Sequence, residues 1–309
     1  MTFALVFPGQ GSQSIGMMRP FADSKAVRDV FSEASEVLKQ DLWKLAEEGP
    51  EAELNLTVNT QPLMLTAGYA VYRAWRDAGG GAPVIVAGHS LGEYTALVVA
   101  GAVAFGDALP LVRFRAKAMQ DAVPPGKGAM AAILGLDDDV VLAACQEAAQ
   151  GEIVEPVNFN APSQVVIAGD KAAVERGAAA AKTRGAKRAV MLPVSAPFHS
   201  SLLRPAARSL ATYLEAVKIN VPGISVVNNV DVATEREPDR IRNALARQAC
   251  SPVRWVEVIR HMATAGVRQI AECGPGKVLA GLTRRIDGSL QAHAIGDPVS
   301  LGQVLQATK

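Results

Sequence analysis

The segment at residues 83–93, PVIVAGHSLGE, is the strongest indicator of the fold in the sequence. Its apolar start predicts a short buried strand, and residues 88–92 match the G-x-S-x-G pattern of a tight strand-to-helix turn. Such a turn holds its serine in strained backbone geometry, and its flanking positions must be glycine because a side chain would collide with the neighbouring strand or helix. A helix is predicted to follow over residues 91–103. A chance match of five residues is the alternative, but the strand before and the helix after favour Ser90 as a nucleophile at the C-terminal edge of a sheet.

The composition of the chain argues against nucleic-acid binding, membrane insertion and metal binding. The chain has 309 residues, 49% of them apolar, and a net charge of +1, so no global field points to nucleic acid or an anionic membrane surface. Cys145, Cys250 and Cys273 are far apart and show no metal-ligand spacing, which indicates a reducing compartment and no metal site. The apolar run at residues 2–7 is too short for a signal peptide, and no run is long enough for a membrane helix. We therefore expect a cytoplasmic protein with no membrane and no nucleic-acid partner.

Strands and helices alternate through most of the chain. A first buried strand over residues 2–7 breaks into PGQGSQ at 8–13, which is either a loop that brings backbone N–H groups toward a ligand or an ordinary turn. Apolar periodicity predicts further helices at 24–40, 62–77, 107–122, 202–217, 238–249 and 253–265, and further strands at 226–227 and 267–271. Ser200 and Ser201 are predicted caps of the helix at 202–217.

A second pattern interrupts this alternation after Gly126. The order strand, helix, strand, strand, helix, strand is the ferredoxin-like β-α-β-β-α-β unit. Its predicted elements cover 130–134, 137–149, 153–158, 164–168, 171–184 and 188–192, with a tight connection at 160–163. The predicted fold class is therefore α/β: a large domain of alternating strands and helices with a mainly parallel sheet, at residues 1–126 and 195–309, and an inserted ferredoxin-like small domain at 127–194.

Arg115 falls within the apolar stripe of the helix predicted at 107–122. An arginine that faces inward must find an anion, because an unpaired buried charge is costly. One of the protein's own carboxylates could supply that anion. The alternative is a substrate carboxylate, which the planar guanidinium suits as a bidentate donor.

A serine nucleophile needs a base, and the chain has four histidines. His89 adjoins Ser90 and should point away from its hydroxyl, His261 lies within a predicted helix, and His293 lies in a predicted edge strand. His199 follows a predicted strand at a helix entry, where α/β folds carry active sites, so it is the best candidate, although a plain capping-loop histidine remains an alternative.

No carboxylate stands out as the third member of a Ser-His-Asp catalytic set. Asp231 and Asp107 are acceptable by residue type, but nothing in the sequence positions either of them. A backbone carbonyl would also serve, because the role requires only an acceptor for the second ring N–H.

Taken together, the motifs resemble those of the malonyl-CoA–acyl carrier protein transacylases of bacterial fatty-acid synthesis. The matching pieces run along essentially the whole chain: FPGQGSQ at 7–13, TQP at 60–62, GHSLGEY at 88–94, Arg115 with MQ at 119–120, GAM at 128–130, NFN at 158–160, SAPFHS at 195–200, VNNV at 227–230, Gln248 ahead of PVRW at 252–255, and GPGK at 274–277.

The resemblance implies that the large domain is hydrolase-like and carries the inserted ferredoxin-like domain. It also implies roles for individual residues. Ser90 would be the nucleophile and His199 the base, with the backbone carbonyl of Gln248 orienting the imidazole. The N–H groups of Gln10 and Leu91 would form an oxyanion hole. The implied substrate-binding residues are Arg115, which would bind the free malonyl carboxylate, and Gln61, Asn160 and Phe198.

The implied activity is malonyl transfer from malonyl-CoA to the phosphopantetheine thiol of acyl carrier protein, through a malonyl-serine ester and without a bound cofactor. Three rivals stay open on sequence alone. They are a malonyl transferase serving polyketide synthesis or a malonate decarboxylase, a serine hydrolase or thioesterase with the same turn, and a non-catalytic subunit that docks a carrier protein. Arg115 on a buried helix face disfavours the hydrolase. The presence of the whole candidate set disfavours the docking subunit, because a scaffold has no use for it: Ser90, His199, Arg115 and Gln248.

Overall fold

A computed structural model describes residues 2–194 and 196–308 and has the predicted mixed α/β architecture. In chain order its strands and α-helices are β1 (Phe3–Phe7), α1 (Lys25–Leu38), α2 (Leu42–Glu48), α3 (Glu51–Leu54), α4 (Thr57–Asp77), β2 (Ile85–Gly88), α5 (Gly92–Val99), α6 (Phe105–Asp121), β3 (Gly128–Leu134), α7 (Asp138–Ala149), β4 (Val154–Ala161), β5 (Gln164–Asp170), α8 (Lys171–Thr183), β6 (Arg188–Met191), α9 (Arg204–Glu215), β7 (Ser225–Val227), α10 (Pro238–Gln248), α11 (Trp255–Thr264), β8 (Gln269–Cys273), α12 (Val278–Ile286), β9 (Gln291–Ile295) and α13 (Pro298–Ala307). Short 3-10 helices lie at Arg19–Phe21 and Ser201–Leu203.

The larger sheet contains five parallel strands in the order β7-β2-β1-β8-β9. Every residue of the central strand β1 is buried, as expected for a parallel strand covered on both faces. Leu5 and Phe7 face the core that contains α1, α4, α5 and α6, whereas Ala4 and Val6 face the core formed with α11 and α12. This two-sided burial explains why β1 and β2 are continuous apolar runs, and it brings their C-terminal ends to one edge.

The smaller sheet is antiparallel, with the strand order β4-β5-β3-β6. That order is the one a ferredoxin-like β-α-β-β-α-β unit requires, and α7 and α8 contribute to a separate apolar core beneath it. The predicted fold class is thereby confirmed. The domain boundaries at 126/127 and 194/195 stay a prediction, and Ser195, where the chain is predicted to return to the large domain, lies outside the described residues.

The two sheets meet where β4 runs past the residues before α11. The N–H of Phe159 donates to the carbonyl of Val253 over 3.0 Å, and the N–H of Val253 donates to the carbonyl of Val157 over 2.8 Å. The strand predicted at 153–158 therefore continues to Ala161, and Asn160 lies on the strand and not in a tight connection. The long-range pairing with Val253, which local sequence does not reveal, accounts for the extra length.

Other boundaries also differ from the prediction. Helix α4 begins at Thr57, so Pro62 lies inside the helix and not in its first turn. The five residues gained are held by burial and by side-chain hydrogen bonds such as that from Thr60 to the Leu54 carbonyl, 2.6 Å.

The predicted caps of the helix at 202–217 are also wrong, because the Ser200 hydroxyl donates to the Pro197 carbonyl and Ser201 donates to Glu155. Among the described residues, no helix is both long enough and apolar enough to cross a membrane.

Candidate active site

The turn between β2 and α5 holds Ser90 in a left-handed backbone conformation, with φ 52°. Side chains on either side would not fit. A Cβ on Gly88 would lie 1.8 Å from the carbonyl carbon of Gly92, and a Cβ on Gly92 would lie 2.1 Å from the carbonyl oxygen of Phe7. The predicted requirement for glycine and the predicted strain at the serine are therefore both observed, and the turn presents the Ser90 hydroxyl at the C-terminal edge of the parallel sheet.

His199 is the histidine that meets this hydroxyl. Its Nε2 lies 2.7 Å from Ser90 Oγ, and its Nδ1 lies 2.8 Å from the backbone carbonyl oxygen of Gln248. Because a carbonyl only accepts, Nδ1 must carry the proton, which leaves Nε2 free to accept from the serine. Burial, and after it the nearby Arg115 guanidinium, lower the pKa of His199 to about 3, so the imidazole is neutral at physiological pH.

Arg115 is buried, with 2% of its surface exposed, and its guanidinium faces the same hydroxyl. Nη2 donates to Ser90 Oγ over 3.1 Å and to Gln248 Oε1 over 2.9 Å, and Nη1 donates to Gln61 Oε1 over 2.9 Å. The ring of Tyr94 lies 5.3 Å from the guanidinium carbon. Within residues 2–194 and 196–308, no carboxylate forms an ion pair with Arg115, and its Nε–H has no hydrogen-bond acceptor. The protein thus keeps a buried cation next to the Ser90 hydroxyl without a counter-charge in contact.

Backbone donors border the serine on the other side. The loop after β1 runs directly beside the turn, since a Cβ on Gly9 would lie 2.5 Å from the His89 carbonyl oxygen and 3.7 Å from the Leu91 nitrogen. In the described part of the chain, neither the N–H of Gln10 nor that of Leu91 has a hydrogen-bond acceptor. Unpaired backbone donors in the loop and the turn are the groups that an oxyanion developing at Ser90 would need.

The remaining candidates lie at or near this cluster. Asn160 Oδ1 is 2.8 Å from His89 Nε2, which directs the His89 ring away from the serine as predicted. Phe198 is buried and directly precedes His199. His261 and His293 lie on α11 and on the edge strand β9, and neither contacts Ser90.

The two aspartates considered as a third member do not orient the base. The carboxylate of Asp231 pairs with Arg247, with Oδ1 2.9 Å from Nη1, and Asp107 lies in the first turn of α6. The described residues contain no group of three or more His, Cys, Asp or Glu side chains that could hold a metal ion. Chemically, the site combines an oriented hydroxyl, a neutral imidazole, two unpaired backbone N–H groups and one buried cation, which suits acyl transfer from an acid-bearing substrate.

Comparison with known proteins agrees with this geometry. A family model described as an acyl transferase domain matches residues 4–293. The chain belongs to the acyl transferase family. An acyl-carrier-protein S-malonyltransferase from Burkholderia pseudomallei 1710b is 64% identical, with a TM-score of 0.98 over 99% of this chain and 100% of that one. The malonyl CoA-acyl carrier protein transacylase of Escherichia coli (strain K12) is 54% identical over 305 residues, covering 98% of this chain and 99% of the relative.

A third relative was solved with a partner. It is a malonyl-transacylase in complex with its type II PKS acyl-carrier protein in the holo form, 52% identical with a TM-score of 0.98, covering 99% of this chain and 100% of that one. These relatives confirm the resemblance to the malonyl-CoA–acyl carrier protein transacylases that the motifs indicate.

Two site residues of this acyl transferase family member had no predicted role. Glu93 Oε2 accepts from the Asn229 N–H over 2.9 Å and from Gln248 Nε2 over 2.8 Å. The Asn229 side chain bridges the backbone of the β2–α5 turn. Its Oδ1 accepts from the Ser90 N–H over 2.7 Å, and its Nδ2 donates to the Gly88 carbonyl over 2.8 Å. A carboxylate within the apolar helix that follows the serine was the available signal for Glu93.

Proposed function

We propose that the chain transfers the malonyl group from malonyl-CoA to the phosphopantetheine thiol of acyl carrier protein, through a malonyl ester on Ser90. The observation that carries this proposal is the buried guanidinium of Arg115, which lies 3.1 Å from Ser90 Oγ and has no carboxylate partner among the described residues. A short acyl group that ends in a carboxylate would supply the missing anion while its thioester carbon lies at the serine.

The first half-reaction loads the enzyme. His199 Nε2 takes the hydroxyl proton as Ser90 Oγ attacks the thioester carbonyl, and the N–H groups of Gln10 and Leu91 hold the resulting oxyanion. The intermediate then collapses, the C–S bond breaks, and His199 returns the proton to the departing CoA sulfur. The Gln248 carbonyl, 2.8 Å from Nδ1, supports the imidazolium that forms in between.

The second half-reaction repeats these steps with the carrier-protein thiol. The thiol gives its proton to His199 as its sulfur attacks the malonyl-serine carbonyl. The oxyanion occupies the same two donors, the C–O bond to Ser90 breaks, and His199 returns the proton to Ser90 Oγ. Each half-reaction exchanges one acyl bond for another, so the cycle needs no cofactor.

Arg115 provides the substrate selectivity in this scheme. Acetyl-CoA lacks the distal carboxylate and would leave the guanidinium buried and unpaired, at a cost of about 2 kcal/mol or more. Gln61 and the side chain of Gln248 hold the guanidinium at the serine, and Asn160 and Phe198 border the acyl site. The partner is an acyl carrier protein, and the three unpaired cysteines agree with a cytoplasmic location.

Intact-protein mass spectrometry tests this function. The protein is mixed with malonyl-CoA, and a Ser90→Ala variant serves as the control. We expect one malonyl adduct on the parent protein, none on the variant, and discharge of the adduct when the phosphopantetheinylated carrier protein is added.

Other outcomes assign the site to the rival functions. An adduct that water removes as fast as the carrier protein does would indicate a thioesterase. A folded protein that forms no adduct would leave only a docking subunit. A parallel reaction with carrier proteins from fatty-acid and polyketide systems would show which of them is served.

A further inference from the structure

Glu93 is a buried carboxylate directly behind the nucleophile turn. It lies in the first turn of α5, has 2% of its surface exposed, and forms no ion pair with any described residue. Its Oε2 accepts two hydrogen bonds, from the Gln248 side chain and from the Asn229 backbone. A buried acid that only accepts is an expensive choice for a purely structural position.

The first consequence is the orientation of the Gln248 amide. Its Nε2 has two hydrogens, and both have acceptors: Glu93 Oε2 at 2.8 Å and the Ser90 carbonyl at 3.0 Å. Flipping the amide would bring its oxygen against these two acceptors and its NH₂ group against the guanidinium of Arg115. Glu93 and the Ser90 carbonyl therefore together determine that Gln248 presents Oε1, and not Nε2, to the arginine, and Glu93 supplies the shorter of the two contacts.

The second consequence is the position of the guanidinium. Arg115 Nη2 divides its two hydrogens between Gln248 Oε1, at 2.9 Å, and Ser90 Oγ, at 3.1 Å. Without the amide oxygen, the guanidinium would keep, among the described residues, only the hydrogen bonds to Gln61 at Nη1 and to the Ser90 hydroxyl at Nη2. The chain of contacts runs from Glu93 through Gln248 to Arg115 and ends at the nucleophile.

We propose that Glu93 is a positioning residue for substrate selectivity: by fixing the Gln248 amide, it aims the Arg115 guanidinium at the distal carboxylate of the acyl group. This inference rests on the proposed malonyl transfer. The role requires an acceptor oxygen and not a negative charge. Burial raises the pKa of Glu93 to about 7, so a large share of the molecules carry the neutral acid near physiological pH, which agrees with an acceptor role.

The test compares Glu93→Ala with Glu93→Gln. The measured quantity is the ratio of Ser90 acylation rates with malonyl-CoA and with acetyl-CoA, followed by intact mass on one preparation. Partial unfolding lowers both rates equally, so the ratio responds to the arginine and not to the folded fraction. We expect Glu93→Ala to lower the ratio about 10-fold or more, the effect of one hydrogen bond to a charged group. Glu93→Gln keeps an acceptor oxygen and should retain the parent ratio.

Glu272→Ala is the matched control. Glu272 is the other fully buried glutamate among the described residues, burial also raises its pKa to about 7, and its Oε2 accepts from Ala280 at the start of α12, away from the site. Its removal should lower stability and leave the ratio unchanged.

The outcomes separate the inference from the proposed function. An unchanged ratio in Glu93→Ala would overturn the role of Glu93, and an equal loss in Glu93→Gln would show that its charge acts and not its acceptor oxygen. If the parent itself forms no malonyl-serine adduct, the proposed function fails first.

Discussion

His199 illustrates how burial prepares a residue for its chemistry. Its ring is enclosed between the Ser90 hydroxyl and the Gln248 carbonyl, close to the cationic Arg115. Both the burial and the neighbouring charge disfavour the imidazolium, so the imidazole that we propose as the base is neutral at physiological pH. The same environment makes the folded protein reluctant to bind a proton that the unfolded chain accepts readily.

This difference predicts a pH dependence of stability that belongs to one residue. The ordinary histidine pKa is 6.5, and that of folded His199 is about 3. The contribution of neutral His199 to the free energy of unfolding is therefore fully present above pH 6.5 and is lost as the pH falls toward 3. Comparing urea unfolding of the parent with that of His199→Gln cancels the other titrating groups. Between about pH 5.5 and about pH 4, the parent should lose about 1.4 kcal/mol per pH unit relative to the variant. Parallel stability curves for the two proteins would contradict this environment for His199.

Several site residues could be assigned from sequence because their roles are local. Ser90 followed from the turn motif, and Arg115 followed from a charge within an apolar helical stripe. The backbone carbonyl of Gln248 could not be derived in this way, because any residue type can offer a carbonyl. Its suggested role came from the resemblance alone, and the contact itself appears only when α10 packs beside the loop that carries His199.

At the scale of elements, the turn from β2 to α5 is the most constrained part of the chain. The glycines at its two ends are in contact with backbone atoms, which cannot move aside as a flexible side chain can. The match between pattern and structure is close here because the constraint is steric and lies within five residues.

Gly92→Ala therefore tests the packing of this element. Its Cβ would lie 2.1 Å from the Phe7 carbonyl oxygen, so β1 and α5 must separate, and we expect a loss of about 3 kcal/mol or more of unfolding free energy in urea. Gly106→Ala is the control, because Gly106 lies inside α6 with no atom within 4 Å of its Cβ position, and the change should be neutral or stabilising by up to about 1 kcal/mol. Equal stability of the two variants would mean that β1 and α5 do not approach as closely as described.

Helix α4 begins earlier than the sequence pattern predicted. Proline in a first turn is the usual arrangement, and it predicted a start at Pro62. The chain instead gives up one backbone hydrogen bond inside the helix and begins at Thr57. Residues 57–61, which precede Pro62, are mostly buried, and this burial, which sequence periodicity did not predict, stabilises the helix. It also places Gln61 within hydrogen-bond distance of Arg115.

At the scale of the whole molecule, the site lies where two sheets meet. The parallel sheet supplies the Ser90 turn and the loop after β1, and β4 of the antiparallel sheet supplies Asn160, which contacts His89. The order of elements predicted both sheets. The pairing of β4 with the segment at Val253 was not predictable, because contacts between residues almost 100 positions apart leave no local pattern.

We propose that Arg115 recognises a carboxylate on the acyl group at Ser90. The most direct test of this recognition is the ratio of Ser90 acylation by malonyl-CoA and by acetyl-CoA in the parent, in Arg115→Ala and in Arg113→Ala. Arg113 is the control because it lies on the same helix and donates to the Leu38 carbonyl, outside the site. We predict that Arg115→Ala lowers the ratio about 30-fold or more, equivalent to about 2 kcal/mol, while Arg113→Ala leaves it unchanged. A malonyl preference that survives in Arg115→Ala would contradict the account.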